Sequence, residues 1–482
     1  MSDIDLAYRA LVSKRAKYEV LWAYYEGDHP LKYSTERLRE LFNDMDIRFV
    51  ENWCAVVINA VYDRMELDHF DVANNEALSK RLNQLVKKAE LDLDADDIHL
   101  ASLVCGESFL VVWKNEVTDD EGQPVTAELE AYYHDPRMCH IEYNPEQPRQ
   151  KQWAAKWWEV VPEGQSKKFY RVNLYYPDRL EYWQSKKPTD QVKSGDGFEQ
   201  IQDPAENPFG QVPVFHFRRD RRKVISELAD ILTLQDGINK LLSDLMVSSE
   251  FTSLMERYVV TNASVGTAQN SPDRLLVIPK GMPDEEPTKV GSFDAITLDT
   301  FLKSIDKLAY AAGVITRTPR HYFYDQGGDP SGEALITMEA PLVKKTKRFI
   351  RRHQNTWQRV AAFMLLVADG VEIDPEEIDP VFTDPETVQP KTQAEIRKIN
   401  IDCGLPLVTI LRREGWNEDE LQELETDKAD ADAADSNNLA KALMKAERTA
   451  QQREGQQGMK LPGVQPPLQQ PPPQEPVPVP GQ

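Results

Sequence analysis

The feature that most restricts how this chain can fold is a pair of long amphipathic segments bracketing a short irregular one. From Ile225 to Glu250 the sequence reads ISELADILTLQDGINKLLSDLMVSSE, and Ile231, Leu234, Ile238, Leu241 and Leu245 recur at intervals of three and four. That spacing lays an apolar stripe along one face of a helix, and a stripe of this length needs another helix against it. Helical periodicity resumes at Leu298, Phe301, Leu302, Ile305, Leu308 and Ala312. The stretch between, Asn262 to Ser292, is rich in Gly and Pro and holds one strand-like run, RLLVIP from Arg274. Two rods flanking a small module are expected.

A third helical stretch follows. Ser331 stands where an N-cap is expected, with Glu333 in the first turn, and the apolar pattern runs on to about Ala368. Such an element is ~50 Å long if straight. Pro341 lies inside it and is expected to kink or interrupt it. The connection before it, TRTPRHYFYDQGGDP from Thr316 to Pro330, carries Gly327 and Gly328 and is expected to be a mobile loop.

The first half of the chain has two characters. Short amphipathic helices are expected over Leu6 to Leu41, broken around Tyr24, Tyr25, Gly27 and Pro30, then over Phe49 to Met65, Glu76 to Leu91 and Asp94 to about Gly106. From Phe109 to Phe217 the runs FLVVW, CHIEY, QWAAKWWEVV, FYRVNLYY and VPVFHF favour β-branched and aromatic residues between turn clusters, which predicts an antiparallel β-rich part. Ten aromatics lie between Tyr143 and Trp183. A base-stacking platform needs such rings exposed and interleaved with cations, so packing in a sheet core is the stronger expectation. Beyond Asp369 come spaced prolines in acidic sequence, then short helices from Thr392 and Leu405. The stretch from Asp427, with its Pro and Gln tract from Leu461, is too poor in apolar residues to offset ordering entropy and is expected to be a disordered tail.

Composition excludes more than it identifies. The chain has 57 Lys and Arg against 80 Asp and Glu, a formal charge of −23, which opposes DNA binding over the whole surface because phosphate neutralisation needs clustered cations. The longest apolar run, Ala361 to Ala368, is too short to span a bilayer. The opening MSDIDLAYRA is acidic where a secretory leader is basic, so the chain is expected to stay in the compartment where it is made. The widely spaced Cys54, Cys105, Cys139 and Cys403 form no CxxC pair and read as reduced thiols.

No phosphate-binding loop, dinucleotide fingerprint, HExxH or GxSxG is present, so neither a motor ATPase nor a standard hydrolase is expected. Asp92, Asp94 and Asp96 alternate as in a calcium loop, but Asp97 replaces the required Gly and Leu103 the closing Glu, so helix N-terminal acidity is the better account. His134, Cys139 and His140 lie in strand-like sequence without a fourth zinc ligand, and Asp325 and Asp329 fall in the glycine loop. No metal or cofactor is expected at any of them. One charge feature stands out. Six of the nine residues from Lys344 to Arg352 are basic, namely Lys344, Lys345, Lys347, Arg348, Arg351 and Arg352. They read either as a solvated face pairing with acidic neighbours, another subunit's included, or as a belt touching phosphate. A second knot, Arg218, Arg219, Arg221, Arg222 and Lys223, sits where the β-rich part hands over to the first rod and reads as junction salt bridges.

The order of segments, together with YYEGDHP at Tyr24, ENWCAVVINAV at Glu51, VPVFHFRRD at Val212 leading into SELADILTLQDGINKLLSDL, and GVITRTPRHYF through SGEAL ending at Leu335, resembles the portal proteins of tailed siphophages over about Val20 to Glu425. The resemblance implies an α+β portal fold. In it, residues 1–223 would form a wing, 224–260 and 295–314 a two-helix stem packed through the residues named above, and 261–294 a clip. Residues 315–371 would supply the tunnel loop and long wing helix, 372–425 the completed wing and a crown, and 426–482 a tail. The tunnel loop would comprise Tyr322, Phe323, Tyr324, Asp325, Gln326, Gly327, Gly328 and Asp329.

The resemblance further implies a non-enzymatic, cofactor-free subunit of a homo-oligomeric ring of about twelve. The ring would sit at the capsid vertex of the virion, assembled in host cytoplasm with no membrane contact. It would pass double-stranded DNA non-specifically and dock the large terminase subunit, then the head-tail adaptor, among major capsid and scaffolding proteins. Other phage minor head or connector proteins, or a metal-dependent nuclease, are the alternatives.

Overall fold

A computed structural model describes residues 2–30, 50–118, 124–164, 166–220, 222–253, 257–260, 289–292, 298–323, 331–386, 390–413, 421–422, 424–426 and 428. The chain divides into two compact units, Met1–Pro390 and Lys391–Gln482.

In the first unit, helix α1 (Asp3–Glu26) ends where Gly27 adopts the left-handed conformation. Helix α2 (Trp53–Tyr62) starts at Asn52, whose side chain accepts from the Ala55 N–H. Strand β1 (Leu67–Val72), helix α3 (Glu76–Lys88) and helix α4 (Leu91–Val104) follow. Asp92 and Asp94 therefore sit in the first turn of a helix and not in a loop.

The β-rich part forms as expected. Strands β2 (Glu107–Thr118), β3 (Pro124–His134) and β9 (Val214–Arg218) make a sheet of order β3-β2-β9. Strands β4 (Cys139–Tyr143), β5 (Lys151–Val160), β6 (Phe169–Tyr175), β7 (Arg179–Ser185) and β8 (Phe198–Glu206) make a five-stranded antiparallel meander. Period-two burial sorts the side chains. Phe109, Val111 and Val214 face the meander's Ile141, Ala154 and Tyr175, while Leu110, Val112, Phe215 and Phe217 face α3, α4 and the long helix described next. None of the ten aromatics between Tyr143 and Trp183 is exposed, and Trp153, Trp157, Tyr175 and Tyr176 are buried. Two glycines permit close approaches here. A Cβ on Gly195 would fall 2.2 Å from the Asp5 Cα, and one on Gly106, whose φ is +89°, would fall 2.6 Å from the Ile225 backbone.

The first rod begins with a 3-10 turn, Glu227–Asp230, before helix α5 (Leu232–Ser253). Residues 257–260, which the resemblance places at the end of a stem helix, are instead strand β10 (Arg257–Val260), paired antiparallel with β11 (Lys289–Ser292). Tyr and Val at the three positions 258–260 favour the extended state over the helix. Helix α6 (Asp299–Thr316) is the second rod. The RLLVIP run lies outside the described residues.

Helix α7 (Gly332–Asp369) carries the expected Ser331 cap, with the Ser331 Oγ accepting from the Ala334 N–H at 3.3 Å. It runs unbroken through Pro341, where an interruption was one expectation. Pro341 is exposed, while Leu342 and Val343 beside it are buried, so packing outweighs one missing hydrogen bond. Strand β12 (Ile378–Phe382) pairs antiparallel with β1, closing a two-stranded sheet across some three hundred residues of sequence. The described part of the second unit contains all but the first residue of helix α8 (Pro390–Asp402) and helix α9 (Leu407–Arg413), with Ile410, Leu411 and Leu421 buried.

Candidate functional site

Helices α5 and α6 pack on one another as their stripes require. Ile231 and Ile238 are fully buried, Leu234, Leu241 and Leu245 are half-buried, and Ile305 and Leu308 join the same core. Leu308 packs over Gly237, 3.6 Å from where a Cβ would stand, an ordinary van der Waals separation. Phe301 is half-buried, but Leu302 is 49% exposed, so the last of the expected packing residues faces away from this core.

A second stripe on α5, not anticipated from the sequence, is polar and buried. Gln235, Asp236, Asn239 and Ser243 occupy it. The Gln235 Oε1 accepts from the Trp53 and Cys54 N–H groups at 2.9 and 3.2 Å, which satisfies donors that a helix start leaves orphaned. Its amide donates to the Glu51 carbonyl, and the Glu51 N–H donates to the Asn239 Oδ1 at 3.3 Å. The Tyr24 hydroxyl donates to Asp236 at 2.7 Å. Thus α5 caps α2 and holds α1 through hydrogen bonds that have no alternative partner in water. The signal was present as polar residues at i, i+1, i+4 and i+8 beside the apolar seam.

Of the loop residues, Tyr322 and Phe323 are described and anchored. Phe323 is buried edge-on to Trp53 at 5.3 Å between centroids. The Tyr322 hydroxyl accepts from the Arg64 guanidinium at 2.8 Å and donates to Glu339 at 3.4 Å. One end of the connection is therefore tied to α2 and α7. Tyr324, Asp325, Gln326, Gly327, Gly328 and Asp329 lie outside the described residues.

The six basic residues of α7 do not share one face. Lys345 is buried and meets Glu227 at 2.6 Å and the Thr316 carbonyl at 2.6 Å. Arg219 meets the other Glu227 oxygen at 2.6 Å, and Arg352 donates to the Arg219 carbonyl and lies 3.8 Å from Asp220. Burial pulls the Lys345 ammonium below the usual lysine range, and Glu227 opposes that pull. These contacts tie α7, the C-terminal end of α6, the turn before α5 and the residues after β9 around a cavity of about 230 Å³. Lys344, Lys347, Arg348 and Arg351 are exposed, and Lys347 pairs with Glu386 at 2.5 Å and Asp384 at 3.4 Å. Arg351 and Arg352 border a second, larger cleft.

The other buried polar groups are structural. Glu107 accepts from the Tyr18 hydroxyl at 2.6 Å and Lys14 at 2.7 Å, and lies 2.8 Å from His216. Burial alone would raise its pKa, but the His216 hydrogen bond and the Lys14 charge hold it well below the usual carboxylate range. His134 lies at the end of β3 and Cys139 and His140 in β4. Among the described residues no three His, Cys, Asp or Glu side chains are placed to hold a metal ion. Burial pushes the Cys54 and Cys139 thiols up to about 12, leaving them protonated and poorly nucleophilic. No helix among the described residues is long and apolar enough to cross a membrane.

The arrangement is thus one of positioned helices and strands with no assembled reaction centre among the described residues. A comparison with curated proteins finds no match. A family model described as phage portal protein, SPP1 Gp6-like, matches residues 11–436, a span that takes in both rods, the module between them and the long helix. That family is structural, and the chain belongs to it.

Proposed function

We propose that this chain is the repeating unit of a ring in the capsid wall, through which double-stranded DNA is packaged and later ejected. In this reading the α5–α6 pair is the stem that stands beside copies of itself, and residues 261–294 form the clip. The clip docks first the large terminase subunit and then the head-tail adaptor. Residues 322–329 approach the DNA, with the Tyr322 and Phe323 anchor fixing where the loop departs. The observation that carries the reading is the family match across residues 11–436. The net charge of −23 supports it, because a like-charged wall lets DNA slide without binding. Exposed Lys344, Arg348 and Arg351 are the members of the basic run left to face DNA or a neighbouring copy.

Negative-stain electron micrographs of the purified full chain test this. Annular particles with a central opening are expected. Solid, single-chain particles at every concentration tried would refute the reading.

A further inference from the structure

The larger cleft lies between the long helix and the sheets, about 360 Å³ in volume, and its charge is one-sided. Arg351, Arg352 and Arg359 line it from α7, Arg149 from the turn before β5, Lys151 from β5 and Arg218 from β9. No carboxylate lines it. Arg351, Asn355 and Arg359 are exposed at four-residue spacing, so the two arginines on that face are ~12 Å apart along the helix. Of the six, Arg352 lies 3.8 Å from Asp220, and Arg218 stands opposite Glu107 across β2 and β9 without a salt bridge to it. Among the described residues no salt bridge engages Arg149, Lys151, Arg218, Arg351 or Arg359. The Lys151 ammonium is spent on the Val214 carbonyl at 2.6 Å, and burial, then the Arg359 charge, pull it down to about 7. A chain with 23 more acids than bases has thus gathered five arginines here, among which the one salt bridge within the described residues is Arg352 to Asp220.

The converse feature stands at the opposite edge of the β3-β2-β9 sheet. The cleft borders β9, one edge strand, whereas Asp94 of α4 accepts from the Tyr133 N–H on the outer side of β3, the other edge strand, at 2.7 Å. Around that point Glu66, Asp92, Asp96 and Asp97 are exposed, and no cation pairs with them among the described residues. They are close enough to disturb one another: burial first, then Glu66, Asp97 and Asp92, raise the Asp96 pKa. Leu93 projects from the middle of the patch, 68% exposed.

We infer that the cationic cleft of one copy receives the Glu66–Asp92–Asp96–Asp97 patch of the next, a head-to-tail contact between two different surfaces of the same chain. Such contacts close into rings when the rotation between copies permits. Two opposite charges at opposite edges of one sheet also bar the face-to-face pairings, because each surface repels its own kind. The inference rests on the ring reading above and says which surfaces make the ring.

Charge reversal tests it on the full chain, with assembly read by sedimentation velocity and folding by circular dichroism. Arg351→Glu with Arg359→Glu makes one variant, and Glu66→Lys with Asp96→Lys the other. Each alone should need at least about tenfold more protein than the wild type to reach the same assembled fraction, since like charges then face each other. An equimolar mixture should recover assembly, because each reversed surface now meets an opposite one in alternating order. Should a reversed variant fail to fold, Arg351→Gln with Arg359→Gln should give a smaller loss of the same kind. Either variant assembling like the wild type, or two folded variants whose mixture stays apart, overturns the contact. So does a cleft variant that assembles normally but loses affinity for duplex DNA, which would assign the cleft to phosphate. A wild-type chain that never assembles sinks the ring reading and the contact together, whereas a wild-type ring indifferent to these charges sinks the contact alone.

Discussion

The sheet-bearing body and the helix pair α5–α6 treat their apolar residues differently. In the body, Trp153, Trp157, Val172, Leu174, Phe215, Phe217 and Trp357 are all buried within one chain. In the pair and the start of α7, Met246, Leu302, Tyr310, Val314, Ile315 and Ile336 are exposed, Val314 by 59%. Single exposed apolar residues are ordinary, but a run of them along neighbouring helices marks a surface made to be covered. The body thus keeps a complete core of its own, although Leu93 and the α1 residues Leu6, Val12 and Val20 are exposed too, whereas the pair leaves much of its apolar surface outside any core of this chain. A subunit that stands among copies of itself has this division of labour: a self-sufficient core that sets the geometry, and rods whose remaining faces belong to neighbours.

The body's dependence on uncharged interior histidines gives the largest expected effect. Burial lowers His216 and His353 to about 4, His134 and His140 to about 3, and His99 well below its ordinary value. The unfolded chain then binds protons before the folded one, so stability rises with pH over this window. It is complete above about 6.5 and is lost as pH falls towards 4, by ~3 kcal/mol for His216 or His353 alone. The depressed Glu107 carboxyl adds a loss in the same direction at lower pH still. Urea midpoints at pH 7.5, 5.5 and 4.5 should decline steeply, and a flat profile would show the imidazoles to be solvated.

Next in size, Trp357→Ala should cost ~3–5 kcal/mol, because Trp357 is fully buried against Phe70 and Phe217 and its indole N–H donates to His99 at 3.0 Å. Glu227→Ala should cost ~3 kcal/mol by leaving buried Lys345 without its counter-charge. Guanidinium unfolding measures both. Smallest in stability but sharpest for the comparison is Val314→Ser with Ile315→Ser. The monomer should change by less than ~0.5 kcal/mol, since both side chains are exposed, while assembly should weaken. Equal loss of monomer stability and assembly would place these residues in the body's core and erase the distinction.

What the sequence disclosed follows the same line. The rods α5, α6 and α7, and the β-rich stretch, were legible because each carries a local period, 3.6 or 2, that burial on one face imposes. The β1–β12 pair was not. Its strands lie at Leu67–Val72 and Ile378–Phe382, and Pro380 inside the second lacks the donor that a strand pattern suggests, which an edge strand tolerates. The buried stripe Gln235–Asp236–Asn239–Ser243 was missed because polar residues at helical spacing read as a solvated face until their partners on α1 and α2 are known. For the same reason the basic run of α7 could be located but not divided. Lys345 and Arg352 turn inward to Glu227 and Asp220 while Lys344 and Arg348 stay outside, a distinction that depends on which acids the fold brings near. The cationic cleft likewise draws on four segments, so no single stretch of sequence announces it.

The central claim is that the helix pair is completed by other copies of the chain. Native mass measurement of the full-length protein at micromolar concentration and moderate salt tests it most directly. The account predicts a dominant closed species at a fixed whole-number multiple of 55.1 kDa. A single mass of 55.1 kDa that persists as concentration rises would contradict it.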